Sequence, residues 1–313
     1  MVEFEWTVGP VDISDDLSKE VVTKYTTDIN NHRTFYTDSN GREFQPRTRD
    51  SRPTWNWTNV APVAGNYYPL STALTMDDGV TGLGIVVDRA QGAASLQDGS
   101  VEVMLHRRIL TGCGLSVPLN ETGQDGRGLI ITGVHRVVLG PVQSSATRQS
   151  VVERVRLQQQ RQYFPLHPLF AASSSSLPLP LPQSTTFVAQ PLPLNVELST
   201  LQQLSDGSVL LRLAHSFAVN ESSVYSAPVS VDLSTLFQQP ITTVRRMTLT
   251  ANAAYKTTGG AMRYAAASER AGVREAEREE VTEGSIGVTS GTVVTIGPMQ
   301  IATFLIELQQ SEQ

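Results

Sequence analysis

Residues 34–110, which begin TFYTDSNGREFQPR (34–47) and end DGSVEVMLHRRIL (98–110), decide the fold class. Asn40-Gly41 supplies the positive φ angles of a tight hairpin turn, with residues 33–37 before it and 42–45 after it. Further on, GLGIVVD (82–88) is apolar and β-branched. After the turn-like Gln97-Asp98-Gly99, Val101, Val103 and Leu105 alternate with Glu102 and His106. Period-two alternation of this kind buries one face of a sheet, so the stretch reads as successive antiparallel strands.

The same stretch resembles a known family. FYTDSNGRE, SRPTWNW, PVAGNYYPL, DRAQGAASLQDGSVEVMLHRRIL and PLNE follow one another as they do in the C-terminal β-domain of lysosomal-type α-mannosidases, glycoside hydrolase family 38. The resemblance begins at EFEWTVGP near the start and continues through HSFAVNE to GPMQIATFLIEL near the end; it is weak in the middle and around residues 262–290. It implies a large antiparallel β-sandwich, the supersandwich or galactose-mutarotase-like kind, followed by a smaller β-rich lobe. It also implies that the zinc ligands, the nucleophilic carboxylate and the acid/base carboxylate belong to an N-terminal catalytic domain not contained in these 313 residues.

Composition agrees with an all-β chain. Seventeen prolines and twenty-three glycines suit many short strands and turns better than long helices. A net charge of −6 with no basic stripe argues against a nucleic-acid surface. No apolar run is long enough for a membrane-spanning helix. The first residues, MVEFEWTVGPVD, alternate as a strand and lack the basic and apolar regions of a signal peptide, so the expectation is that Met1 is an internal position or alternative start of a longer enzyme. The lone Cys113 excludes an internal disulfide.

Three regions are expected. Residues 1–140 form the main part of the sandwich, with a second and third strand within SKEVVTKYTTDINNHRTFYTD (18–38) and another at residues 129–139, the latter bent or bulged at Gly133. Residues 141–190 form an exposed, low-complexity connection. Within it TRQSVVERVRLQQQRQYF (147–164) suits a helix, and SSSSLPLPLPQ (173–183) suits extended polyproline-like chain. Residues 191–313 supply the remaining strands in VELSTLQQL, GSVLLRLAHSFAV, APVSVDLSTLF, RRMTLTANA (245–253), residues 291–296 and IATFLIEL (301–308). The charged SERAGVREAEREEVTE (268–283) reads as a solvated insertion or short helix.

Little of the chemistry expected of a hydrolase is present. His32, His106, His135, His167 and His215 are scattered, without metal-ligand spacing, so no metal is expected on this chain. Asp38 and Asp98 sit in turn-like sequences and read as backbone caps. In HRRIL one of Arg107 and Arg108 faces the core and needs a carboxylate partner. Asn56 (NWT), Asn120 (NET) and Asn220 (NES) are sequons for N-glycosylation.

The loop TGCGLSVPLNE (111–121) follows HRRIL. By resemblance it corresponds to an Asp-Asp-x-Arg-Gly loop that reaches the active-site mouth and helps to hold the terminal mannose. Here Gly112 and Cys113 replace the acidic pair, and Leu115 lies where arginine is usual. Gly112, Cys113 and Gly114 are therefore the substrate-loop candidates, able to approach a sugar through backbone groups.

The resemblance implies the C-terminal portion of a retaining, zinc-dependent α-mannosidase, a lysosomal or secretory-pathway glycosidase that removes terminal mannose from N-glycan-type oligosaccharides. Its partners would be the mannose-containing oligosaccharide and the catalytic domain of the same polypeptide, and the chain alone would be inactive. The alternative is a stand-alone carbohydrate-binding or structural sandwich in which Trp55, Trp57, Tyr67 and Tyr68 offer stacking faces.

Overall fold

The computed structural model describes residues 1–38, 40–112, 117–168, 170, 188–255 and 292–309. The chain divides into two compact units, Met1–Phe170 and Ala171–Gln313.

The first unit contains strands β1 (Val2–Val8), β2 (Lys19–Thr26), β3 (Thr34–Asp38), β4 (Phe44–Thr48), β5 (Tyr68–Leu70), β6 (Ala73–Asp77), β7 (Thr81–Val87), β8 (Gln91–Gln97), β9 (Ser100–Arg108) and β10 (Ile131–Pro141), then helix α1 (Val151–Tyr163). Six strands form one sheet in the order β1-β10-β7-β6-β3-β4, and four form a second in the order β2-β9-β8-β5. Every pairing is antiparallel. The sheets share one apolar core, to which Phe35, Leu74, Met76, Leu83, Ile85 and Val87 come from the larger sheet and Leu70, Ala93, Val101 and Val103 from the smaller. Each fully buried Leu, Ile or Met there contributes roughly 1.5–3 kcal/mol of transfer free energy. This is the sandwich that the alternation in residues 34–110 predicts.

β7 is buried along nearly its whole length, and the cause is α1. Leu83, Ile85 and Val87 enter the sandwich core, while the opposite face of the sheet joins Val151 and Val155 of the helix in a second cluster with Ala73, Val86 and Val138. Gly82 and Gly84 make room for the helix: a β-carbon there would lie 2.6 Å from Val151 Cγ1 and 2.2 Å from Val155 Cγ2. The reading of residue 141 onward as an exposed connection therefore does not hold for α1. Its Gln/Arg-rich tail gives it little amphipathic contrast in sequence, yet Glu153, Arg156, Gln158 and Gln159 are themselves buried. A capping box starts the helix, with Ser150 Oγ accepting from Glu153 N and Glu153 Oε2 accepting from Ser150 N.

Two local readings are corrected. The β3–β4 register pairs Asp38 with Phe44, so the connection around Asn40-Gly41 is longer than a two-residue turn. Gly41 is at φ +76°, and Asn40 Oδ1 accepts from the amides of Arg42 and Glu43. Gly133 is not a bulge, because β1 and β10 keep register through it. It is small because Trp6 lies against it: a β-carbon would meet Trp6 Cζ2 at 2.2 Å.

The second unit contains β11 (Val196–Gln203), β12 (Val209–His215), β13 (Val229–Asp232), β14 (Ile241–Met247), β15 (Val293–Ile296) and β16 (Ile301–Leu308). A four-stranded sheet runs β11-β12-β16-β14, and β13 pairs with β15. The strongly apolar β16 lies between two partners, where Phe304 and Ile306 join Leu211, Leu213, Leu233 and Ile296 in the core. The expected strand at residues 245–253 is shifted: β14 ends at Met247 and residues 248–253 turn, with Ala253 O accepting from Thr248 N. Residues 173–183 and 268–283 lie outside the described residues. No helix among the described residues is long and apolar enough to cross a membrane.

Candidate substrate loop and its support

The loop that follows β9 leaves the sandwich through a closed neck. Ile109 N donates to Leu119 O at 2.9 Å, and Leu110 N donates to Ser18 Oγ at 3.0 Å. Beneath the neck lies Arg108, only 7% exposed. Its Nε donates to Asn120 Oδ1 at 2.8 Å, and its Nη1 donates to Val11 O at 2.9 Å and Arg127 O at 2.5 Å. One guanidinium thereby ties the two sides of the loop to the segment between β1 and β2. Gly128, at φ +122°, lets the backbone reach it, since a β-carbon there would be 2.8 Å from Arg108 Nη1.

The expectation of a carboxylate partner for the core-facing arginine is corrected here. The buried Arg108 is satisfied by carbonyls and an amide, whereas the more exposed Arg107 pairs with Glu20 Oε1 at 2.7 Å. A planar fork of five donors can be saturated by neutral acceptors from several segments, which makes arginine suited to this place.

Of the substrate-loop candidates, Gly112 is partly exposed at the start of the loop, and Cys113 and Gly114, with Leu115, lie outside the described residues. Of the sequons, Asn56 is exposed, Asn120 is exposed with its Oδ1 held by Arg108, and Asn220 is exposed at φ +61°. The structure brings Asn120 onto Arg108 at the base of the loop, a link between sequon and arginine that eleven intervening residues conceal in the sequence.

The aromatic residues considered as stacking faces are mostly engaged in packing. The Arg52 guanidinium sits 4.3 Å from the Trp57 ring centre and 4.9 Å from that of Tyr68, which also carries Arg47 at 4.9 Å. Tyr67 OH donates to Glu102 Oε1 at 2.5 Å; burial first, and then that carboxylate, push its phenol upward in pKa. Trp55 is 65% exposed.

The carboxylates are accounted for differently from one another. Asp38 is fully buried and does not cap its own turn; its oxygens accept from Thr72 N, Thr72 Oγ1 and Ala73 N, fastening β3 to the start of β6. Asp98 accepts from Arg33 N and Arg49 Nη2, both at 2.9 Å. His135 is fully buried between Tyr25 OH (2.9 Å) and Gln91 Oε1 (3.0 Å), and burial lowers its pKa to about 4. His215 is also fully buried, with Nε2 3.0 Å from Ala227 O. Among the described residues no three of His, Cys, Asp and Glu come together in a way that holds a metal ion.

Comparison with known proteins places this architecture. The family model described as "Glycosyl hydrolases family 38 C-terminal domain" matches residues 1–112, and "Glycosyl hydrolases family 38 C-terminal beta sandwich domain" matches residues 195–304. The chain is 37% identical to lysosomal alpha-mannosidase of Homo sapiens over 99% of its own length and 30% of the relative's. It is 37% identical to an alpha-mannosidase of Arabidopsis thaliana (97% and 30%) and 35% to that of Canavalia ensiformis (97% and 31%). It thus spans about 30% of the length of these relatives. A crystal structure of an alpha-mannosidase from Enterococcus faecalis superposes with a TM-score of 0.52 at 14% identity, over 92% of this chain and 26% of that one, a likeness of fold. With two family models matching in order, one on each unit, and these relatives aligned along almost its whole length, the chain belongs to glycoside hydrolase family 38, in the part formed by its C-terminal β-domains.

Proposed function

We propose that this chain is the C-terminal portion of an exo-acting α-mannosidase that removes terminal α-linked mannose from N-glycan-type oligosaccharides by a retaining mechanism. The observation that carries the reading is the 37% identity maintained over 99% of the chain with a lysosomal alpha-mannosidase. The two carboxyl groups and the zinc ion of the reaction belong, in this reading, to the longer polypeptide, because the described residues offer no metal-ligand cluster. The chain's own role is to brace the catalytic domain and to present residues 111–115 to the sugar from the neck that Arg108 holds. Gly112, Cys113 and Gly114 are the residues proposed to meet substrate, and Asn56, Asn120 and Asn220 the proposed glycan acceptors of a lysosomal enzyme.

Assay of the purified chain on an aryl α-mannoside, alone and after coexpression with the catalytic portion of a family 38 relative, tests this. Hydrolysis only in the complemented sample is the expected result. Zinc-dependent turnover by the chain alone would refute the assignment of catalysis to another domain, and absence of any association would refute the bracing role.

A further inference from the structure

The larger sheet carries a cavity of about 330 Å³ that the proposed hydrolytic role leaves unused. It opens on the face of β3 opposite the sandwich core. Thr34 and Tyr36 alternate with the buried Phe35, and the turn between β6 and β7 closes one side with Asp77, Asp78 and Gly79. Asn31 and His32 complete the lining. The backbone at His32 and Arg33 is left-handed, φ +47° and +65°, and is held there by Asn30 Oδ1 accepting from His32 N and Asp98 Oδ1 accepting from Arg33 N. His32 is thereby fixed at the rim.

The chemistry of this lining selects a ligand class. A metal ion is disfavoured by the donor set, since no metal-holding cluster exists among the described residues, and part of each carboxylate is committed to the turn. Asp77 Oδ1 accepts from Gly79 N at 3.0 Å, and Asp78 Oδ1 from Val80 N at 2.9 Å and Thr81 N at 2.7 Å. An anion would face two carboxylates. What remains is a mixed set: a phenol, an imidazole and a hydroxyl that donate, carboxylate oxygens that accept, and one aromatic ring. A pyranose has matching parts, with hydroxyl groups that both donate and accept and an apolar face of C–H bonds, and the volume is that of a small-ligand site.

We infer that the cavity bounded by His32, Thr34, Tyr36, Asp77 and Asp78 binds one neutral hexose unit of an oligosaccharide, with Tyr36 as the apolar wall and Asp77 as the main hydroxyl acceptor. This binding is a property of the chain itself and does not depend on the hydrolytic reading. In a family 38 protein it adds a place where a glycan is held by the β-domain without being cleaved.

The full chain, labelled with 15N, is titrated with methyl α-mannopyranoside and an α-linked mannobiose to about 50 mM, well above the Kd of about 1–10 mM expected for a few polar contacts in an open site. Shifts at the amides of residues 31–36 and 77–79, weakened about tenfold in Asp77→Asn, support the site. That substitution keeps the Oδ1 acceptor for Gly79 N and so preserves the turn; His32→Gly, which relaxes the left-handed backbone, is the second variant and also weakens binding. No shift in these segments at the highest sugar concentration overturns the inference. So does binding that Asp77→Asn and His32→Gly leave unchanged, or a response to magnesium or an alkylammonium ion with none to either sugar.

Discussion

Val155 of α1 occupies the space above Gly84 of β7, so that a β-carbon on the glycine would stand 2.2 Å from Val155 Cγ2. This fit makes the helix a third layer of the first unit. Gly84→Ala forces the helix away from the sheet and is expected to cost about 2 kcal/mol. Trp6, Trp55 and Trp57 all lie in the first unit, so their fluorescence during urea denaturation reads the loss there; an unchanged midpoint would show that the helix is not packed as described.

Removal of the Arg108 guanidinium should be costlier than removal of an average buried side chain. Arg108→Leu leaves Val11 O, Arg127 O and Asn120 Oδ1 without their donor, at a cost of about 2–4 kcal/mol. Arg108→Lys restores a charge but not the fork, and recovers only part of the loss. Asn120→Ala, which removes one acceptor, costs about 1 kcal/mol. Denaturation of the three variants in parallel gives the order, and a harmless Arg108→Leu would remove the neck from the account of the loop.

His135 gives the first unit a pH dependence of known sign. Its folded-state pKa lies near 4, below the ordinary value of 6.5, because burial disfavours the imidazolium; Asp88 opposes that shift and Arg89 adds to it. The unfolded chain therefore binds the proton more readily between these values. Stability from this group is fully present above about pH 6.5, falls as pH drops toward 4, and is constant below; the total is at most about 3 kcal/mol. His135→Gln, measured from pH 7 to pH 4, should flatten the slope. An equal slope in the variant would assign the dependence elsewhere.

The capping box is testable by itself. Ser150→Ala removes the acceptor of Glu153 N and should cost about 1 kcal/mol. Hydrogen exchange localises it: the first amides of α1 lose protection, while those of β9, in the other sheet, keep theirs. Uniform loss along the unit would mean that the helix does not open as a separate element.

The alternation around β9 and the apolar character of β16 were legible as strands, because side chains of a strand point to opposite faces and a sheet with one buried face must show period two. The role of α1 was less legible. Its buried face is built from valines, glutamines and an arginine, and what receives it is a pair of glycines some seventy residues earlier. A glycine in a strand pattern is compatible with a bulge, a bend or a close neighbour; only the neighbour, Trp6 for Gly133 and Val155 for Gly84, decides between them. The same limit applies to charge. Sequence shows that one arginine after His106 faces inward, but its acceptors are carbonyls of Val11 and Arg127, and peptide groups leave no mark in the residue code.

The amino-acid sequence by itself determined the all-β class, the strands around residues 34–45, 82–88 and 100–108 and membership of the family, since each rests on local periodicity or on long ordered blocks of residues. Tertiary structure alone decided which face of β7 carries a helix, what satisfies Arg108 at the base of the loop, and that His32, Tyr36 and Asp77 border one cavity. These depend on groups distant in the chain meeting in three dimensions, and such meetings are fixed by packing and hydrogen-bond satisfaction of the whole sandwich, not by any short stretch within it.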